Sequence, residues 1–291
     1  MRRELIILIL LLFAVHSAFC SGIKITPGTI LIQNIPVGKQ FDFFDEQGLT
    51  IKIYNTDDYP KRYLLSPNRP GEMNTTVTGY FDIFDPSWFS LDTNSVIVPP
   101  KDTAEIGMRV HIPDNPSWYN RHWLVGIDVS EDTTGKALPG QAIIMGAYLL
   151  YRLETEPSDE VVPETIGEEI ITVPSVLDFG KVRHGEKYQK TMTVYQKVEP
   201  TMHMEIHPLD PESDVAKLTI LINQPYQRVK DPDWFSYKKR LSVRNGEGKE
   251  LKITLNVPEN AGEVGRYYEE ILLLDGKIYK GFVRLHFKLI D

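Results

Sequence analysis

Apolar and polar residues alternate with a period of two along most of the chain. Ile106, Met108, Val110 and Ile112 alternate with Glu105, Gly107, Arg109 and His111, and Leu251, Ile253, Leu255 and Val257 alternate with Lys252, Thr254 and Asn256. Leu49, Ile51 and Ile53 form a third one-sided set, Trp123, Val125, Ile127 and Val129 a fourth. Near the end, Tyr279, Val283, Leu285, Phe287 and Leu289 oppose Lys280, Arg284, His286 and Lys288, which predicts a strand with one core face and one solvated face. After the first 22 residues no window carries a long amphipathic helix. Short one-faced strands separated by Gly, Pro, Asn and Asp turns predict antiparallel sheets packed face to face.

The pattern repeats. Asp85-Pro86-Ser87-Trp88-Phe89-Ser90 recurs as Asp231-Pro232-Asp233-Trp234-Phe235-Ser236. Ile25-Thr26 followed by Ile35-Pro36-Val37-Gly38 corresponds to Ile171-Thr172 followed by Val182-Arg183-His184-Gly185. Ile112-Pro113-Asp114-Asn115 corresponds to Val257-Pro258-Glu259-Asn260, and Arg121 to Arg266. Landmarks in one order at a nearly constant offset make the chain a tandem of two homologous domains. Glu154, Glu156, Asp159, Glu160 and Glu164 share residues 154–167 with two prolines and no base, a composition that reads as a self-repelling linker. The predicted organisation is therefore domain 1 over 23–153, a linker over 154–167 and domain 2 over 168–291.

Residues 1–22 differ from the rest. Arg2 and Arg3 precede an apolar run over 5–15, and His16-Ser17-Ala18-Phe19-Cys20-Ser21-Gly22 follows, the layout of a secretory signal peptide. An uncleaved anchor and acylation at Cys20 are the alternatives, the second weakened by bulky Phe19 where a small residue is expected. Cys20 is the only cysteine, so cleavage at or after it leaves an exported chain that is stable without disulfides. The expected location is extracytoplasmic: periplasm, cell surface or secreted. Contact with a membrane is expected only through this segment, if it is retained or lipidated.

Composition narrows the function. Of 291 residues, 42% are hydrophobic and 25% charged, which excludes disorder and a polytopic membrane protein. A net charge of −8 argues against nucleic acid as a partner, because phosphates require a concentrated basic surface. Gly-x-Ser-x-Gly, His-Glu-x-x-His, a phosphate-cradling glycine loop and Cys-x-x-Cys are all missing from the sequence. His203-Met204-Glu205-Ile206-His207 is the one metal-like cluster, with same-face neighbours about 6.6 Å apart on a strand. Aligned on Arg62-Tyr63-Leu64-Leu65-Ser66-Pro67, it puts Met204 and Ile206 in the core and the histidines on the solvated face. The expectation is no enzyme, no cofactor and no metal.

Leu177-Asp178-Phe179-Gly180-Lys181-Val182, with Gly185 in the following turn, resembles the opening of Ig-like domains of the major sperm protein, Hydin and pilus-chaperone superfamily. Trp88-Phe89-Ser90-Leu91, then Val96-Ile97-Val98-Pro99-Pro100 and an alternating strand closing on Ile112-Pro113, resembles the middle of bacterial secreted members. The resemblance covers both halves and implies a seven- or eight-stranded sandwich in each, with adhesive, scaffolding or chaperone roles. Where the bacterial pattern has Gly before the Tyr-containing strand, domain 2 has Gly265 and domain 1 has Asn120, both tolerant of positive φ. Pilus chaperones hold a client carboxylate with paired cleft cations and donate an apolar edge strand. Here the corresponding stretch over 141–150 alternates poorly and the linker is acidic. The reading is thus a non-catalytic binding, adhesion or scaffold protein, with an assembly chaperone as the alternative.

Comparison of the halves also picks out binding residues. The repeated Trp88-Phe89 and Trp234-Phe235 pairs imply a shared packing role. Trp118 and Tyr119 align with Glu263 and Val264 of domain 2 and are expected to be at least partly exposed on a loop, free to meet a protein or a sugar ring. Arg228, Lys230, Lys238, Lys239 and Arg240 bracket the second Trp motif and form a second candidate surface. The expected partners are envelope or extracellular proteins, with polysaccharide as a further candidate.

Overall fold

A computed structural model describes residues 23–133, 146–159 and 169–291. The signal-like segment, the first half of the 141–150 stretch and the acidic strip from residue 160 onward lie outside the described residues.

The first half supplies β1 (Ile23–Thr26), β2 (Thr29–Ile35), β3 (Gln40–Asp42), β4 (Ile51–Asn55), β5 (Lys61–Asn68), β6 (Phe81–Asp82), β7 (Phe89–Leu91), β8 (Ser95–Val98), β9 (Thr103–Ile106), β10 (Met108–His111), β11 (His122–Glu131) and β12 (Gly146–Thr155). The second supplies β13 (Ile170–Val173), β14 (Val176–Arg183), β15 (Lys187–Gln196), β16 (Thr201–Pro208), β17 (Tyr226–Arg228), β18 (Phe235–Tyr237), β19 (Arg240–Arg244), β20 (Lys249–Asn256), β21 (Tyr267–Gly276) and β22 (Tyr279–Ile290). Two five-residue helices, α1 (Phe43–Gln47) and α2 (Asp214–Leu218), interrupt the strands.

Each half folds into an Ig-like β-sandwich. In the first, the larger sheet runs β2-β12-β11-β5-β8, with β6 added on β11. In the second the order is β14-β22-β21-β16-β19, with β17 on β21, so the two sheets match strand for strand. The opposing layer is β13-β15-β20-β18 in the second sandwich and is split into β1-β4-β9 and β3-β10-β7 in the first. The split falls at Gly107, which divides the expected single strand 105–112: β9 pairs with β4, and β10 with β3 and β7. Most pairings are antiparallel, but β2 runs parallel to β12 and β14 to β22. Each sandwich has its own core, built around Ile53, Trp123 and Tyr151 in one and Val194, Ile253 and Phe287 in the other. Asn120 (φ 62°) and Gly265 (φ 86°) both take the left-handed turn anticipated for them.

The faces of β11 and β22 expected to be solvated are instead largely buried, as are the outer faces of β12 and β21. Tyr80 and Leu124 from the first half join Leu209, Ile220, Ile271, Leu273 and Phe282 from the second in a third apolar cluster, with Leu31 and Leu150 against it. The outer faces of the two larger sheets therefore pack on each other. Arg284 and His286, expected to face solvent, are buried in this layer. Glu154 and Thr155, expected to open the linker, continue β12, and Glu154 is only 3% exposed.

Candidate functional site

The predicted aromatic loop does not present its tryptophan. Asn115 accepts a hydrogen bond from the Ser117 N–H (2.9 Å) and starts a 3₁₀ turn over Pro116–Trp118. That turn drives Trp118, 7% exposed, into the first core. Its ring centroid lies 5.1 Å from Trp88, 5.8 Å from Trp123 and 4.7 Å from Phe84, with the Arg121 guanidinium 5.7 Å away. Tyr119 is half-buried against the same core. The expectation of at least partial exposure holds for Tyr119 and is corrected for Trp118, and the reason lies in local chemistry. Asp85 and Asp231 accept from Ser87 and Asp233 N–H groups (both 2.9 Å) and start equivalent turns that bring Trp88 and Trp234 inward. Asn115-Pro116-Ser117-Trp118 is a third copy of that device. The exposed member of the cluster is Phe84, 54% accessible and stacked 5.7 Å from Trp88.

The basic set is only partly free. Arg228 is half-buried and bonds Glu270 Oε1 at 3.2 Å, and burial pushes the Glu270 carboxyl above its usual range against the pull of Arg228. Arg240 reaches Glu205 across the β16–β19 pair (3.3 Å) in an exposed contact. Lys230, Lys238 and Lys239 are exposed, the last two on the crossing from β18 to β19. His203 is also exposed and its Nδ1 meets Ser242 Oγ at 2.8 Å, while His207 Nε2 lies 3.9 Å from Asp275. Among the described residues no three His, Cys, Asp or Glu side chains are arranged to hold a metal.

The most developed polar constellation is the joint between the sandwiches, which no single-strand pattern singled out. Arg284 on β22 donates from Nε to Glu154 Oε2 (2.7 Å) and from Nη2 to Glu154 Oε1 (2.6 Å). Its Nη1 donates to Glu269 Oε1 (2.5 Å) and to the Leu221 carbonyl (3.0 Å). Tyr80 Oη and Gln33 Nε2 also donate to Glu154, at 2.5 and 3.2 Å. Burial alone would raise the Glu154 carboxyl, but the Arg284 charge and these bonds outweigh it and hold the group well below the usual carboxylate range. Burial raises the Tyr80 phenol, and the Glu154 charge adds to it.

His122 on β11 completes the joint. Its ring stacks on Phe282 of the other sandwich at 3.9 Å and 7°, with Tyr80 at 6.0 Å. Burial depresses its pKa to about 4, with Glu154 opposing and Arg284 assisting, so the ring is neutral at pH 7. Among the described residues its Nε2 has no hydrogen-bond partner. Arg152 donates to Thr29 Oγ1 and to the Leu218 carbonyl (both 2.6 Å), and Asn223 Nδ2 to the Leu31 carbonyl (3.4 Å), so that Arg152 and Asn223 add two further ties across the joint. Arg121 binds Glu169 at 2.7 Å and the Ser117 carbonyl at 2.8 Å. Beside the joint lies a groove of about 610 Å³ lined by Thr75, Thr78, Tyr80, Asp82, Tyr279 and Lys280.

No family model matches the chain, and no curated protein matches it. Among solved structures it is similar to a protein of unknown function from Porphyromonas gingivalis, at 10% identity and a TM-score of 0.35 over 92% of this chain and 99% of that one. It is also similar to the class 5 fimbriae chaperone CfaA, at 10% identity and 0.34 over 91% and 99%. A PapD-like domain of human CEP192 gives 10% and 0.33 over 46% and 85%. These are likenesses of fold alone, and the sandwich assignment rests on the strand orders and cores given above.

Proposed function

We propose that the chain is a non-catalytic extracytoplasmic scaffold or binding protein in which two Ig-like sandwiches act as one rigid unit. The observation that carries this reading is the closed joint. An assembly chaperone of the pilus type needs free cations in its cleft for a client carboxylate, whereas Arg284, Arg152 and Arg121 are here engaged by Glu154 and Glu269, by Thr29 and Leu218, and by Glu169 and Ser117. A burial as complete as that of Arg284 leaves little room for exchange with an incoming anion. The signal-like N-terminus and the missing catalytic motifs support an exported, non-enzymatic role.

The test is capture of tagged protein from cross-linked envelope fractions in a pulse-chase. A scaffold keeps its partner at constant stoichiometry through the chase. A chaperone carries only newly made partner and loses it, and that result would replace the scaffold reading. N-terminal sequencing of the same material checks the compartment: an intact Met1 in a cytosolic fraction would exclude export.

A further inference from the structure

The joint combines an apolar layer that buries area with a buried polar set that is sensitive to protons. On the first sandwich it presents Tyr80, His122, Arg152 and Glu154, and on the second Glu269, Arg284 and His286, the last stacked under Tyr226 at 4.1 Å. With His122 neutral, two guanidiniums face two carboxylates and the set balances. A proton on His122 adds a positive charge beside Arg284, against Phe282 and with no acceptor at Nε2. A proton on Glu154 removes the anion that Arg284 grips with two of its nitrogens. Both changes fall on groups covered by the opposite sandwich. Acid therefore acts directly on the contact between the sandwiches.

We propose that the joint is an acid-released latch: protonation of His122 and Glu154 frees the two sandwiches to part while each remains folded. This goes beyond the scaffold reading and does not depend on it. The sign follows from linkage. Once Phe282 withdraws, His122 returns toward its ordinary value of 6.5 from about 4, so the open form binds protons more tightly. Lowering the pH from 6.5 to 4 raises the ratio of open to docked molecules by roughly 80-fold through this group alone. Glu154, held low by Arg284, adds to the shift as the pH falls through the ordinary carboxylate range.

The experiment is small-angle scattering of the exported chain from pH 7.5 to 3.5, with far-UV circular dichroism on the same samples. Expansion of the particle with the β signal retained is expected in acid. In His122→Phe, which keeps a ring on Phe282 and removes the titration, the midpoint of expansion should fall by at least one pH unit. NMR titration of the wild-type His122 imidazole provides a second reading that needs no variant, since ring protonation should coincide with expansion. An unchanged particle down to the pH of unfolding, expansion only together with loss of β signal, or ring protonation at a pH separate from expansion would each overturn the latch.

Discussion

Replacing Arg284 with Met should be one of the most damaging single changes in the molecule. The guanidinium is fully buried and makes four hydrogen bonds, two to Glu154, one to Glu269 and one to the Leu221 carbonyl. Met is close in length and apolar, so the loss is not mainly one of packing. What remains is a pair of buried carboxylates from opposite sandwiches without their cation. Breaking a buried ion pair from one side costs about 3–5 kcal/mol, a large part of the roughly 5–15 kcal/mol that holds an ordinary domain together. Urea unfolding followed by tryptophan fluorescence reads this as a drop in midpoint, because Trp123 and Trp118 sit in the core of the sandwich that docks on Arg284. A triple variant, Arg284→Met with Glu154→Leu and Glu269→Leu, should recover most of the loss, since apolar replacement of a whole buried triad is commonly neutral or stabilising by about 1–4 kcal/mol. An Arg284→Met cost below about 1 kcal/mol would show that the sandwiches do not dock this way in solution.

Other perturbations test other parts. Gly79 has φ +80°, and a Cβ there would lie 2.6 Å from Phe282 Cδ1 and 3.4 Å from Ile220 Cδ1, so Gly79→Ala should wedge the joint and cost about 1–3 kcal/mol in a thermal melt. An unchanged melting temperature would mean that the two segments are not in contact. Because the folded state holds His122 near 4 and the unfolded chain near 6.5, the unfolded state binds more protons between those values, and stability should rise with pH across that window by on the order of 3 kcal/mol. In His122→Phe the urea midpoint should lose this part of its pH dependence, and an identical profile would refute the assignment. Trp118→Glu with Tyr119→Val, harmless if these residues were exposed, should cost about 3 kcal/mol or more, whereas Phe84→Ser should stay within about 1 kcal/mol; equal effects in denaturation would contradict the burial order.

Period-two alternation states which residues share a face but not what covers that face. It therefore places the core-facing positions correctly from Ile106 to Ile112 and from Leu251 to Val257, and it misjudges Arg284 and His286, which lie on a face that another sandwich covers. A second signal is present in the same strands. Ile271-Leu272-Leu273-Leu274 and Leu149-Leu150-Tyr151 are continuous rather than alternating apolar runs, the mark of a strand buried on both sides. Glu154 is lost to sequence reading because composition cannot tell a carboxylate that repels its neighbours from one that meets an arginine 130 residues away. Trp118 is legible in principle: Asn115-Pro116-Ser117-Trp118 repeats Asp85-Pro86-Ser87-Trp88, whose tryptophan the tandem comparison assigns to packing. Alignment of the two halves by offset obscures this, since the third copy has no counterpart in domain 2.

The joint also limits where a partner can bind. Since the outer faces of the larger sheets are spent on each other near β11, β12, β21 and β22, a partner must address the sandwich ends, the smaller sheets or the outlying edges. The outlying edges differ in a telling way. Tyr63 pairs with Val96 as Met204 pairs with Leu241, so Ser95 and Ile97 of β8 stand where β19 carries Arg240 and Ser242. Charged side chains on an edge strand discourage pairing with another strand, and the second sandwich has them at Arg240 and Arg244. The first has Ile97, 55% exposed, with Leu64 exposed on the neighbouring strand and Phe84 exposed at the end. The outer edge of the larger sheet is thus apolar in the first sandwich and charged in the second. On the binding role proposed above, a partner that reads apolar surface would meet the first sandwich at this edge, and one that reads positive charge would meet the second at Lys230, Lys238 and Lys239. While the joint is closed, both surfaces are carried at a fixed separation, which flexible tethering of the same two domains would not provide.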